Sequence, residues 1–173
     1  ILGSGGQLKN IKVQNINMQG KNYVGSLVGK CCSESQITDC HVDGQVSGTG
    51  SYVGGIAGQN LSGVIVSCHT EILTTGMGEC TGGLVGDNFG HISSCSANGT
   101  TIGQGDFTGG LIGMNSCSAI TYCSAEGIVQ GANYTGGLIG YNLGNFETQS
   151  NISYCSFSGT VTGSDHVGGL IGF

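Results

Sequence analysis

Gly136-Gly137-Leu138-Ile139-Gly140 is one of six copies of a single short stretch, and the spacing of those copies decides the fold. The others are Gly25-Ser26-Leu27-Val28-Gly29, Gly54-Gly55-Ile56-Ala57-Gly58, Gly82-Gly83-Leu84-Val85-Gly86, Gly109-Gly110-Leu111-Ile112-Gly113 and Gly168-Gly169-Leu170-Ile171-Gly172. Successive copies begin 29, 28, 27, 27 and 32 residues apart. A period of that length marks an array in which each unit stacks on its neighbours. The units run over 7–35, 36–63, 64–90, 91–118, 119–150 and 151–173, in one repeat domain covering 1–173.

Working outward from the motif, each of the last five units opens with an isoleucine three places before a cysteine. These pairs are Ile37 and Cys40, Ile65 and Cys68, Ile92 and Cys95, Ile120 and Cys123, and Ile152 and Cys155. Leu8 and Ile11 take those places in the first unit. Beyond the cysteine the pattern has period two, as a strand requires. Val42, Thr70, Ala97, Ala125 and Phe157 share one parity with Val46, Thr74, Thr101, Val129 and Val161, and this set should face inward. The other parity begins with His41, His69, Ser96, Ser124 and Ser156, followed by Asp43, Glu71, Asn98, Glu126 and Ser158. No helical stripe is present, and 36 glycines are too many for stable helices. A unit of two or three short strands cannot bury its own apolar face. The expected fold is therefore all-β, a β-solenoid of about six stacked rungs of 27–32 residues and on the order of 30 Å long.

Charge and composition narrow the function classes. Four cationic residues against ten acidic ones leave a net charge of −6, a poor match for nucleic acid or anionic membranes. No run approaches the roughly 20 apolar residues that cross a bilayer, so membrane insertion is not expected. The stretch Ile1-Leu2-Gly3-Ser4-Gly5-Gly6 has neither the charged nor the apolar part of a signal peptide. A start at Ile1 reads as processed or truncated. Neither end looks capped, which suggests a piece of a longer array or a rod that joins others end to end.

An aliphatic residue three before cysteine, then glycine, then Gly-Gly-Leu-Ile-Gly-x-Asn resembles the GLUG motif repeat. Cys123, Gly127, Gly131, Gly136, Gly137, Leu138, Gly140 and Asn142 carry the likeness within one unit. The first unit departs from it, with Ile11 for cysteine, Ser26 for glycine and Cys31-Cys32 where asparagine should stand. Such repeats occur in large secreted and surface proteins, including adhesins and non-catalytic portions of bacterial immunoglobulin-cleaving metallopeptidases. The resemblance implies an extracellular or cell-surface location and a structural or adhesive role, with no catalytic residue to carry over.

Two structural ladders are expected. Cys40, Cys68, Cys95, Cys123 and Cys155 read as packed inward thiols, with rung-to-rung disulfides as the alternative. The pairing of Cys31, Cys32, Cys80 and Cys117 is not assignable from spacing. Asn60, Asn88, Asn115 and Asn142 each lie two residues past a motif and should stack as an amide ladder.

Outward candidates are weaker. His41, Asp43, His69 and Glu71 occupy equivalent places on adjacent rungs and could approach a metal, although a solvated polar patch is the favoured reading, because the set recurs on only two rungs. Tyr23, Tyr52, Phe107 and Tyr134 form a column two residues before each motif, completed by Cys80 and His166. The rings could stack on sugars or simply pack. Five extra residues, 145–149, form a loop in which Phe146 is the candidate contact. Of four Asn-x-Ser/Thr sequons, Asn98 and Asn133 are placed best for glycans, and Asn60 should be blocked by its ladder. If Leu27, Ile56, Leu84, Leu111, Leu138 and Leu170 point inward along a plain strand, then Val28, Val85, Ile112, Ile139 and Ile171 form an outer stripe suited to a lateral interface, the favoured reading; the alternative is that the double glycine bends the strand and buries both columns. The acids are scattered, no His-Glu-x-x-His is present, and no carboxylate pair is set across a cleft. The expectation is a non-enzymatic, cofactor-free extracellular repeat protein that associates with itself. A carbohydrate-binding adhesin module partnered by surface glycans is the alternative. A polysaccharide-active enzyme and an ice-binding protein, which would need flat threonine columns, come behind it.

Overall fold

Every regular element in the computed structural model, which describes residues 1–144 and 150–173, is a β-strand. The strands recur in a set order: each of the first five turns of the chain adds one strand to each of four faces of a coil, and the sixth adds one to three of them. The first face stacks Gln7–Lys9, Gln36–Thr38, Val64–Val66, His91–Ser93, Ile120–Thr121 and Ile152–Ser153. The second, the long face, stacks Lys12–Gly20, His41–Gly48, His69–Gly76, Ser96–Gly103, Ser124–Gln130 and Ser156–Thr162. The third carries short strands from Val24–Gly25 to Asp165–Gly168, and the fourth runs from Val28–Cys31 to Ile139–Leu143. Every pairing is parallel. Parallel strands joined through a full coil bring each residue over its equivalent one rung away, so like side chains stack on like.

The register follows the sequence period. Leu8, Ile37, Ile65, Ile92, Ile120 and Ile152 pair in one row. On the long face Val42, Thr70, Ala97, Ala125 and Phe157 form a second row, and Val46, Thr74, Thr101, Val129 and Val161 a third. The middle of these rows is buried, so the core is a thin column shared by all rungs. Leu2 pairs with Cys31 and so stands in the asparagine column, one rung below the first.

The glycines of the motif mark places where backbone packs on backbone. A methyl group at Gly109 would run into the carbonyl oxygen of Ile112 in its own rung, and one at Gly110 into that of Gly137 in the next. The first glycine therefore allows a corner and the second allows the next rung to approach it. This corner overturns the expected outer stripe. Thr108–Gly109 ends one strand and Ile112–Ser116 begins another, so the chain bends at Gly110 and Leu111, and the side chains of Leu111 and Ile112 both enter the core. Val28, Val85, Ile112 and Ile139 are buried, with Ala57 beside them, and Ile171 is half-buried. The lateral interface read from the motif is not on the surface, because adjacent residues alternate sides only along an unbent strand.

Two further corners have left-handed backbone at residues other than glycine. Asn10, Asp39, Ser67, Ser94, Tyr122 and Tyr154, each preceding the residue in the cysteine row, have φ between 53° and 55°. Tyr23, Tyr52, Cys80, Phe107, Tyr134 and His166 form the equivalent set at the other corner. Such a conformation costs about 1–3 kcal/mol for a bulky residue. Here the cost is offset by ladder hydrogen bonds such as Tyr122 N–H to the Ser153 carbonyl at 3.1 Å.

Gly110→Ala is expected to lower stability by about 3 kcal/mol, since the obstruction is backbone and cannot rotate away. Gly169→Ala, where nothing lies within 4 Å of the added carbon, should stay within about 0.5 kcal/mol of the parent. Urea unfolding followed by circular dichroism checks the contrast.

Candidate functional site

The asparagine corner is the most fully bonded part of the rod. Asn60 Nδ2 donates to Asn88 Oδ1 at 2.9 Å, Asn88 Nδ2 to Asn115 Oδ1 at 2.8 Å, and Asn115 Nδ2 to Asn142 Oδ1 at 2.9 Å. The same amides close their own turns, as where Asn60 exchanges bonds with the backbone of Gly63 at 3.1 and 2.8 Å. Ser150 Oγ joins the end of the ladder by donating to Asn142 Oδ1 at 2.6 Å. Cys31 occupies the same column in the first rung, and burial pushes its thiol up to about 12. With their donors and acceptors engaged, these amides hold the corner and leave little for a ligand.

The cysteine ladder is likewise turned inward. Cys40, Cys68, Cys95 and Cys123 are buried and Cys155 is half-buried, and all nine cysteines of the chain are free thiols. Each ladder thiol donates to the carbonyl two residues earlier at 3.2 Å. The thiols therefore act as buried hydrophobes with a local hydrogen bond.

On the long face His41 and His69 stack at 5.1 Å between ring centroids, and His69 Nε2 lies 3.2 Å from Glu71. His41 is 3.8 Å from Asp43, whose carboxyl is held below the usual range chiefly by the Asn15 N–H at 2.6 Å. Among the described residues no three His, Cys, Asp or Glu side chains gather to hold a metal ion. Stacking sets these side chains in parallel rows, so His41, Asp43, His69 and Glu71 pair and do not converge.

The column before the motif is a ring stack. Tyr23 and Tyr52 are stacked at 4.9 Å, and Tyr134 and His166 at 4.8 Å, while Phe107 lies 5.4 Å from Tyr134. A second column that the sequence reading missed packs beside it, with Tyr141 against Phe107 and Tyr134, and Phe173 stacked on Tyr141 at 5.1 Å. Lys30 Nζ sits 3.7 Å above the Tyr23 ring. The stacked faces of Tyr23, Tyr52 and Tyr134 are turned to their neighbours, which leaves mainly ring edges outward.

Between Tyr52 and Phe107 the same surface holds Cys80 and Asp87, both buried. Gln59 Nε2 donates to Asp87 Oδ2 at 2.8 Å, whereas Asp87 Oδ1 has no partner among the described residues. Burial raises the pKa of this carboxyl, with the Gln59 bond opposing it. Burial, with Asp87 and Glu79 nearby, raises the Cys80 thiol as well.

Of the favoured sequons, Asn98 is half-buried, and Asn133 is also half-buried and donates to Asp106 Oδ1 at 2.9 Å. Asn60 is buried, and Asn151 is the sequon asparagine that is exposed. Phe146 and its loop, 145–149, lie outside the described residues. Two outward features went unread in the sequence. Tyr122 and Tyr154 are 62% and 76% exposed and stack at 4.8 Å with 3° between planes. Leu61, Phe89 and Leu143, 39–44% exposed, line the asparagine corner. An open groove of about 340 Å³ is floored there by Phe89, Gly90 and His91 and walled by Val64, Cys117 and Ala119. A reader could have found both by aligning the residue before each cysteine and the residue after each ladder asparagine.

The four-faced parallel coil, with its glycine corners and asparagine ladder, defines a β-solenoid. The profile of the GLUG motif matches residues 77–103 and 131–162. A crystal structure from Bacteroides ovatus, described as a "putative immunoglobulin A1 protease", superposes with a TM-score of 0.65 at 18% identity, over 97% of this chain and 68% of that one. The likeness is one of fold. No curated protein matches the chain. No helix among the described residues is long and apolar enough to cross a membrane.

Asp87 generates a pH prediction. Its folded pKa is raised, so the folded state favours the protonated carboxyl, and stability falls as pH rises from about 3.9 through the raised value. Asp87→Asn should therefore unfold at higher urea than the parent at pH 7, and the difference should close as pH approaches about 3. Paired urea titrations at the two pH values check it.

Proposed function

We propose that this chain is a non-catalytic module of a secreted or surface repeat protein, which works by presenting stacked surfaces and by associating with further copies. The observation that supports it most is how the reactive side chains are disposed. Cysteines, asparagines and most ring faces are engaged with neighbouring rungs, and what is left outward is a set of rows repeating at rung spacing. The GLUG match and the solenoid fold agree with such a role.

Self-association has two features behind it. Leu61 and Phe89 are exposed apolar residues on adjacent rungs beside a groove, with Leu143 two rungs further on past the buried Ser116, more than an isolated polar corner needs. All four lysines, Lys9, Lys12, Lys21 and Lys30, belong to the first rung while the acids are spread along the rod. Such a separation of charge favours head-to-tail approach of copies at low salt.

Sedimentation velocity across a concentration series, with electron microscopy of the same samples, tests this reading. Reversible assemblies are expected, weakened by Phe89→Asp at the row and by raised salt. A strictly monomeric chain at every concentration would refute self-association. Incubation with immunoglobulin A is expected to leave the antibody intact, and its cleavage by the purified chain would refute the non-catalytic reading.

A further inference from the structure

The Tyr122–Tyr154 pair ends abruptly within its own column. In order along the rod the column reads Asn10, Asp39, Ser67, Ser94, Tyr122 and Tyr154, and each residue has the same left-handed backbone. The two rings are parallel to within 3°. One rung below Tyr122 comes Ser94, with Ser67 below that, and both are exposed. A serine side chain stops at Oγ, so it cannot reach as far as a tyrosine ring. The Tyr122 ring therefore overhangs a step, with one face against Tyr154 and the other directed over Ser94.

The step has the height of one rung, about 4.8 Å. That is also roughly the distance at which a flat apolar face packs on an aromatic ring. The rim is hydroxyl-bearing, with Ser94 and Ser67 on the tread and Ser93, Thr121 and Ser124 on the adjoining strands. The corner is also held in place. Ser67 N–H donates to the Ser93 carbonyl at 3.1 Å, Ser94 N–H to Thr121 at 3.0 Å, and Tyr122 N–H to Ser153 at 3.1 Å. A ring face held over neutral hydroxyl groups suits a ligand with one C–H face and a girdle of hydroxyls. This setting differs from the column at Tyr23, Tyr52, Phe107 and Tyr134, where the neighbouring positions are filled by other rings or by Cys80.

We propose that the step formed by Tyr122 over Ser94 and Ser67 is a binding site for one pyranose ring of a neutral glycan, which continues the tyrosine stack in place of a missing third ring. The C–H face of the sugar packs on the open face of Tyr122, and its hydroxyls exchange hydrogen bonds with the Ser94 and Ser67 side chains. No bond is made or broken. The site deepens the reading of the chain as a surface module and rests on it only for its biological setting.

Saturation-transfer difference NMR and calorimetry with cellotetraose and β-1,4-galactotetraose as neutral probes, and sialyllactose as a charged one, test the site. Weak binding of a neutral probe, with transfer from tyrosine ring protons, is expected, and sialyllactose should bind less well. Tyr122→Ala should weaken binding about tenfold or more. Ser94→Tyr is the sharper variant, since it supplies the missing ring, fills the step and keeps or raises the unfolding midpoint while binding is lost. Tyr154→Ala should change affinity by less than about threefold, because it packs on the far face of Tyr122. Binding of neither neutral probe at millimolar concentration, or binding that survives Ser94→Tyr, would overturn the proposal. Concentration-dependent assembly that persists without saccharide binding overturns this site alone and leaves the structural module standing.

Discussion

The approach of backbone to backbone at the paired glycines is the constraint on which the rest of this rod depends. At Gly55, Gly83, Gly110 and Gly137 a side-chain carbon would lie against the carbonyl oxygen of the next rung's glycine. Removing that carbon lets neighbouring rungs close to strand spacing at a corner, where ordinary residues would hold them apart. Once that distance is set, every other row is set with it. The asparagines reach one another, the cysteine thiols reach carbonyls of the neighbouring rung, and the rings reach stacking distance. A solenoid has little else to rely on, because each rung buries its apolar face only against the rungs above and below.

The same stacking that stabilises the rod limits its chemistry. Identical side chains in parallel rows are good at hydrogen-bonding or stacking with one another and poor at converging on a point. His41, His69, Asp43 and Glu71 show this, since they form pairs along and within rungs and gather around nothing. Side chains left without a like neighbour are therefore found where a row is broken. Asp87 is the one carboxylate in the row of Lys30, Gln59, Met114 and Tyr141, and its Oδ1 is buried with no partner among the described residues. Phe89 sits at the shortest of the asparagine corners, where a groove opens. Tyr122 begins a ring stack above a row that carried small polar side chains.

Much of the coil was legible because its signals are local and repeated. Six motif copies, five Ile-x-x-Cys pairs and a period-two segment determine the rungs and the inward parity, and Val42, Thr70, Ala97 and Ala125 pair in that register. For the second aliphatic of the motif, strand alternation favoured an outer stripe over the bend at the double glycine that would bury it, and the structure takes the bend. Nothing local in Leu111-Ile112 decides between the two, and the bend at Gly110 and Leu111 follows from where Gly109 meets the Ile112 carbonyl. The aromatic column was legible as a column, but the use of its faces was not. Ring planes depend on the neighbouring Tyr141 and Phe173, which lie in another part of each repeat.

The sequence by itself determined the class of this protein: an acidic, glycine-rich repeat array stacked as an all-β coil. It could do so because a repeat writes the same packing requirement many times, and one reading of the period serves every rung. Only the tertiary structure decided which side chains are outward at the corners, that both aliphatic columns of the motif are core, and that Tyr122 overhangs a step. Those outcomes depend on backbone direction at a few residues and on neighbours 27–32 positions away, and no local pattern of polarity encodes either.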